Sequence, residues 1–176
     1  MIGAALRVAS FVAVMLLAIL LLAVPLRAGA PDWPMPDLVM AVACTWVLRR
    51  PEAAPMPIIF ALGLMADLML MRPVGLGAFA LVVVTEVLRA QSRSLRDAPL
   101  VAELMLVALL IAAALAAQVG LIWLTLGNLP PLGELVTYGL LTIAAYPAVT
   151  LILALALGLR HRAGGQLAYS SYLGGR

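Results

Sequence analysis

Two carboxylates, Asp37 and Asp67, fall within or beside apolar sequence, where an ionisable group costs a few kcal/mol and needs a partner or a purpose. At matching depths of two helices, such a pair could bind a cation or share a proton. Asp37 also has a simpler reading: it opens an apolar run and suits a helix N-cap, favoured by the positive end of the helix. Asp67 stands in Gly63-Leu64-Met65-Ala66-Asp67-Leu68. It either joins a functional or partner-related network or reaches the outer headgroups. Gln118, deep in an apolar run, calls for a hydrogen bond to another helix, with a ligand contact as the alternative. Arg49 and Arg50 suit anionic headgroups or a docking partner. Glu86 lies three residues before Arg89, the spacing of a local ion pair on one helical face. Glu103 is expected to stay hydrated.

Enzyme chemistry is poorly provided for. The single histidine, His161, sits in an arginine-containing tail, and the single cysteine, Cys44, lies in an apolar segment. These two cannot assemble a His/Cys metal cluster, and no Ser-His-Asp or Cys-His arrangement is evident. An intrachain disulfide is impossible with one cysteine. Asp37 with Asp67 is the best pair available, and it lacks a metal-binding histidine.

The elements that must position these residues are membrane helices. The 176-residue chain is 65% hydrophobic and 11% charged, against roughly 45–50% and about 25% in soluble domains. Mean hydropathy is +1.15. That excludes a soluble globular domain and a disordered chain, and at roughly 20 residues per span it allows about six spans. The expected class is therefore all-α and polytopic. Residues 1–159 would form one six-helix transmembrane domain and residues 160–176 a basic cytoplasmic tail.

The spans read as Val8–Leu26, Asp37–Leu48, a third from Pro55 or Pro57 to Met71, Leu76–Leu88, Pro99–Leu126 and Glu134–Leu159. Ala28-Gly29-Ala30 has the shape of a signal-peptidase site. The long apolar run before it, Arg27 beside it and Pro31 after it favour a retained helix. Pro31 to Pro36 is a stiff connector whose Trp33 suits an interface. Spans two to four are short, so their ends should be polar or the bilayer locally thin. Span five, at 28 residues, measures about 42 Å and should tilt or protrude. Residues 127–133 form a turn, and Pro147 should kink span six. Ala112, Ala113, Ala114, Ala116 and Ala117 offer a small surface for close helix approach. All 11 basic residues are arginine, and with loops assigned to alternate sides nine fall on one side and two on the other. That bias places both termini in the cytoplasm.

A run of features from Pro36 to Leu81 carries a resemblance. It comprises Pro36-Asp37-Leu38, Trp46-Val47-Leu48-Arg49-Arg50-Pro51, Phe60, Gly63, Asp67-Leu68, Pro73, Gly75 and Ala80-Leu81. These resemble MreD, the bacterial rod-shape-determining membrane family: an acidic start to the second helix, a Trp-containing helix closing before Pro, and Gly-x-x-x-Asp-Leu leading to Pro-x-Gly. Met69-Leu70-Met71-Arg72 departs from it, standing where members often carry Gly or Ser. The resemblance implies a non-enzymatic inner-membrane component of the cell-elongation complex, without a cofactor or nucleic-acid partner. It implies direct binding to MreC, in a complex with RodA, the elongation transpeptidase and MreB filaments. It also implies a fold similar to the six-helix substrate-binding subunits of energy-coupling-factor transporters. A vitamin-type small-molecule-binding subunit is therefore the competing function, since fold does not fix function. Its candidate polar ligands (Asp37, Asp67, Gln118, Asn128 and Glu134) are sparse.

Overall fold

The computed structural model describes residues 2–24, 35–96, 99–126 and 131–157. The expectations for Arg27, the small-residue site after it, Trp33, the turn around Asn128, His161 and the tail lie outside these residues. Among the described residues the chain is all-α, with six helices: α1 (Ile2–Ala23), α2 (Leu38–Arg49), α3 (Met56–Met69), α4 (Leu76–Gln91), α5 (Leu100–Leu126) and α6 (Leu132–Leu157). Three of them, over Gly3–Ala23, Val101–Leu124 and Leu132–Leu157, are long and apolar enough to cross a membrane, so the chain is a membrane protein. At 12, 14 and 16 residues, α2, α3 and α4 measure only about 18, 21 and 24 Å.

The short helix α2 is the centre of the molecule. Every residue from Val39 to Leu48 is buried, because α1, α4 and α6 all pack against it. A helix apolar on all sides finds its place in this way. Phe11 of α1 meets Trp46 with ring centroids 5.5 Å apart and a tilted geometry, the arrangement aromatic quadrupoles favour. Met15 and Ile19 continue the same α1 face into the core. α2 and α6 run parallel: Asp37 meets Thr142, and eight residues further along both helices Thr45 meets Thr150.

The loops gather at two ends. Arg49 and Arg50, the Pro51–Ala53 turn and Arg89 share one end; the α3–α4 turn with Arg72, the start of α2 and Tyr138 share the other. These are called below the arginine-rich and arginine-poor ends. Helix boundaries differ from expectation by a few residues. α1 starts before Arg7 rather than after it, α4 continues three residues past Leu88, and Pro147 sits within α6, with its ring on the exposed side. On α5, Ala112, Ala113, Ala116 and Ala117 are exposed, while Ala114 packs against the core.

Candidate polar sites

Asp67 is almost completely buried, with 1% of its surface exposed. Its Oδ2 accepts hydrogen bonds from the Gly75 N–H at 2.9 Å and the Ala78 N–H at 3.1 Å. The carboxylate of α3 therefore caps the first turn of α4. A helix N-terminus presents unpaired N–H groups and positive potential, and Asp67 answers both. Asp67 is thus spent on a network within the chain and does not reach headgroups, because α4 covers it.

The glycines around Asp67 have mechanical reasons. Gly75 has φ +92°, a left-handed conformation that admits Gly at little cost. Gly77 leaves room for the carboxylate: a Cβ there would run into Asp67 Oδ1. Gly63 lets α3 lie against α4, since a Cβ would stand 2.8 Å from the Ala78 Cα. Pro73 is exposed and its carbonyl accepts the Leu76 N–H at 3.2 Å. α3 closes through Met71, at φ +54°, with the Arg72 N–H donating to the Asp67 carbonyl at 2.9 Å. That is a left-handed helix ending of the kind usually given to Gly.

Asp37 forms the second site. It caps its own helix, accepting the Met40 N–H at 3.0 Å, as its sequence position predicts. Its Oδ2 also receives Arg72 Nη1 at 2.9 Å and the Tyr138 hydroxyl, while its backbone N–H donates to Thr142 Oγ1 at 2.9 Å. The Arg72 guanidinium lies 5.8 Å from the Tyr138 ring centroid, within cation–π range. Asp37 and Asp67 do not share a cation or proton site in this geometry; each carboxylate is committed to different donors. No group of three or more His, Cys, Asp or Glu side chains able to hold a metal occurs among the described residues.

The third site lies at the opposite end of α2. Arg49 Nη1 pairs with Glu103 Oε1 at 3.0 Å, with side chains 4% and 2% exposed. Tyr146 donates its hydroxyl to the same carboxylate oxygen. This corrects two expectations. Arg49 does not reach lipid headgroups, and Glu103 is not hydrated, because the first turn of α5 packs the carboxylate between α2 and α6. Arg50 is half-buried. Nearby, Arg89 pairs with Glu86 at 3.1 Å, as their spacing predicts. It also donates to the carbonyls of Pro51 and Ala54, tying α4 to the α2–α3 connection.

Trp46 belongs to the core rather than to a surface: it is 1% exposed and its Nε1 has no acceptor among the described residues. Gln118 is half-buried, and its side chain makes no hydrogen bond to a described residue, so the expected interhelical bond is not formed there.

Sequence reading missed Tyr138, Thr142, Tyr146 and Thr150 of α6. One signal was present: Tyr138, Thr142, Tyr146 and Thr150 recur every four residues, a polar stripe on an otherwise apolar helix. A stripe of that kind marks the face turned toward polar partners.

The family model described as rod shape-determining protein MreD matches residues 2–156, nearly the whole chain. The chain belongs to the MreD family. Its role is accordingly in the determination of rod shape. No curated protein and no solved structure matches it. The Gly63, Asp67, Pro73 and Gly75 signature that carried the resemblance is, in this chain, the fastening of α3 to α4.

Proposed function

We propose that the chain is a non-enzymatic scaffold of the bacterial inner membrane, binding MreC and helping to organise lateral peptidoglycan synthesis in the cell-elongation complex. The observation that carries this reading is the MreD family match over residues 2–156. The geometry supports it in a specific way. Asp37, Asp67 and Glu103 each lock separate helices together. That use of buried charge gives a rigid bundle with a fixed surface, which a binding partner needs.

On this reading both termini and the basic tail, residues 160–176, lie in the cytoplasm, as the arginine bias requires. All six helices enter the bilayer, in a fold similar to the substrate-binding subunits of energy-coupling-factor transporters. MreC meets the membrane helices and the loops of the arginine-poor end, while RodA, the elongation transpeptidase and MreB filaments join the same assembly. Arg50 and the other basic residues of the cytoplasmic end contact anionic lipid.

The test is co-purification. The tagged chain is expressed with the MreC of its own genome, extracted in mild detergent and weighed by native mass spectrometry. A defined complex is expected, weakened by Asp67→Ala or Pro73→Ala, because the α3–α4 hairpin loses its anchorage. A folded chain that remains alone overturns the reading.

A further inference from the structure

Helix lengths provide a ruler. On α5, 23 residues separate Glu103 from Leu126, and on α6, 23 separate Glu134 from Leu157, with no charged residue between either pair. Each stretch is about 34 Å long, enough to cross the ~30 Å hydrocarbon core. The α2–α4 side is shorter. Only 12 residues separate Arg49 from Asp37, and 13 separate Arg89 from Leu76, or about 18 and 20 Å. Both measurements start from one level: Arg49 pairs with Glu103, and Arg89 binds the Pro51 and Ala54 carbonyls just beyond Arg49. The start of α4 therefore stands about 14 Å short of the end of α5 along the helix axes. α6 gives the same result independently. The Asp37 N–H meets Thr142, eight residues inside Glu134, a depth of about 12 Å.

The surface of the hairpin agrees with that depth. Leu68, Met69, Met71 and Val74 at its tip are 61%, 57%, 96% and 63% exposed. Its two charged side chains turn inward. Arg72 folds back onto Asp37 and Tyr138. Asp67 takes the N–H groups of Gly75 and Ala78, the Asp67 carbonyl takes that of Arg72, the Pro73 carbonyl takes that of Leu76, and Pro73 has none to satisfy. Irregular backbone is tolerated at hydrocarbon depth only when the protein itself satisfies it. A turn in water would need no such arrangement and would ordinarily be polar.

We propose that the α3–α4 hairpin ends inside the hydrocarbon of the leaflet at the arginine-poor end, with lipid acyl chains covering Met69, Met71 and Val74. The Asp37–Arg72–Tyr138 cluster is then an ion pair held below the headgroups. The Asp67 cap is what allows the turn to sit there.

The test places an environment-sensitive nitrobenzoxadiazole probe on the full chain in phospholipid nanodiscs. Cys44→Ala removes the native thiol, and Met71→Cys or, separately, Val74→Cys carries the probe. Gly133→Cys near the start of α6, where an added Cβ meets nothing within 4 Å, is the reference. At positions 71 and 74 the emission should be blue-shifted relative to position 133. It should be largely lost in lipids brominated along the acyl chain and retained in aqueous iodide. Position 133 should show the reverse sensitivity. Iodide quenching at 71 and 74 equal to that at 133 puts the tip in water and overturns the proposal. Insensitivity to both quenchers puts the tip under protein and overturns it equally. Two probe positions guard against one variant that fails to fold, and each is accepted only if it elutes as the unlabelled chain does.

Discussion

Asp67 offers the most discriminating perturbation. Its Oδ2 alone accepts both the Gly75 and the Ala78 N–H. Asp67→Asn keeps one oxygen in place and loses the charge; Asp67→Ala removes the acceptor. Hydrogen bonds to a charged group contribute about 1.5–3 kcal/mol each, roughly twice those between neutral groups. The Asn variant should therefore lose about 1–3 kcal/mol. The Ala variant should lose about 3–5 kcal/mol, because two buried N–H groups are left without a partner. For a chain of this size 1 kcal/mol corresponds to roughly 2–4 °C in Tm. The assay is thermal unfolding of the purified chain in one detergent. The expected order is wild type, then Asn, then Ala, with Ala lower by on the order of 10 °C. An Ala variant that melts with the wild type refutes the capping role. An Asn variant as damaged as Ala would show that charge, and not the acceptor geometry, carries the effect.

Other predictions follow from the same contacts. Gly63→Ala should cost about 1–3 kcal/mol in the same melt, since the new Cβ meets the Ala78 backbone and must push α3 from α4. Glu103→Leu alone should cost about 3–5 kcal/mol by leaving Arg49 charged and buried, whereas Arg49→Met with Glu103→Leu should recover much of that loss. Met71→Gly should stabilise by roughly 0.5–1 kcal/mol, because Met71 holds a left-handed backbone. Cys44, with no exposed surface, should resist maleimide in the folded chain and react fully once denatured, as followed by intact mass.

The sequence made the helices legible because their apolar runs are long and are broken by Pro, Gly and Arg. It also made Asp37 legible as a cap and Glu86–Arg89 as a pair, since both depend only on local spacing. Asp67 stood out as important through its glycines, yet its role was hidden: the groups it caps lie eight and eleven residues away, across a turn whose path sequence does not fix. Glu103 was misread for a similar reason. Its place three residues into α5 looks hydrated until α2 and α6 bring Arg49 and Tyr146 to it from 54 and 43 residues away. Arg72 illustrates the limit of counting charges. It was counted as a loop charge, and the structure turns it inward onto Asp37.

On the proposed function, this MreD-family bundle organises wall synthesis through its partner rather than by chemistry of its own. That role is tested most directly by depleting the chain in its own cells while following cell shape, MreC position and the sites of new peptidoglycan. Rounded cells, dispersed MreC and loss of lateral incorporation are expected, all restored by the wild-type chain. Depleted cells that remain rods, with MreC and lateral incorporation unchanged, would contradict it.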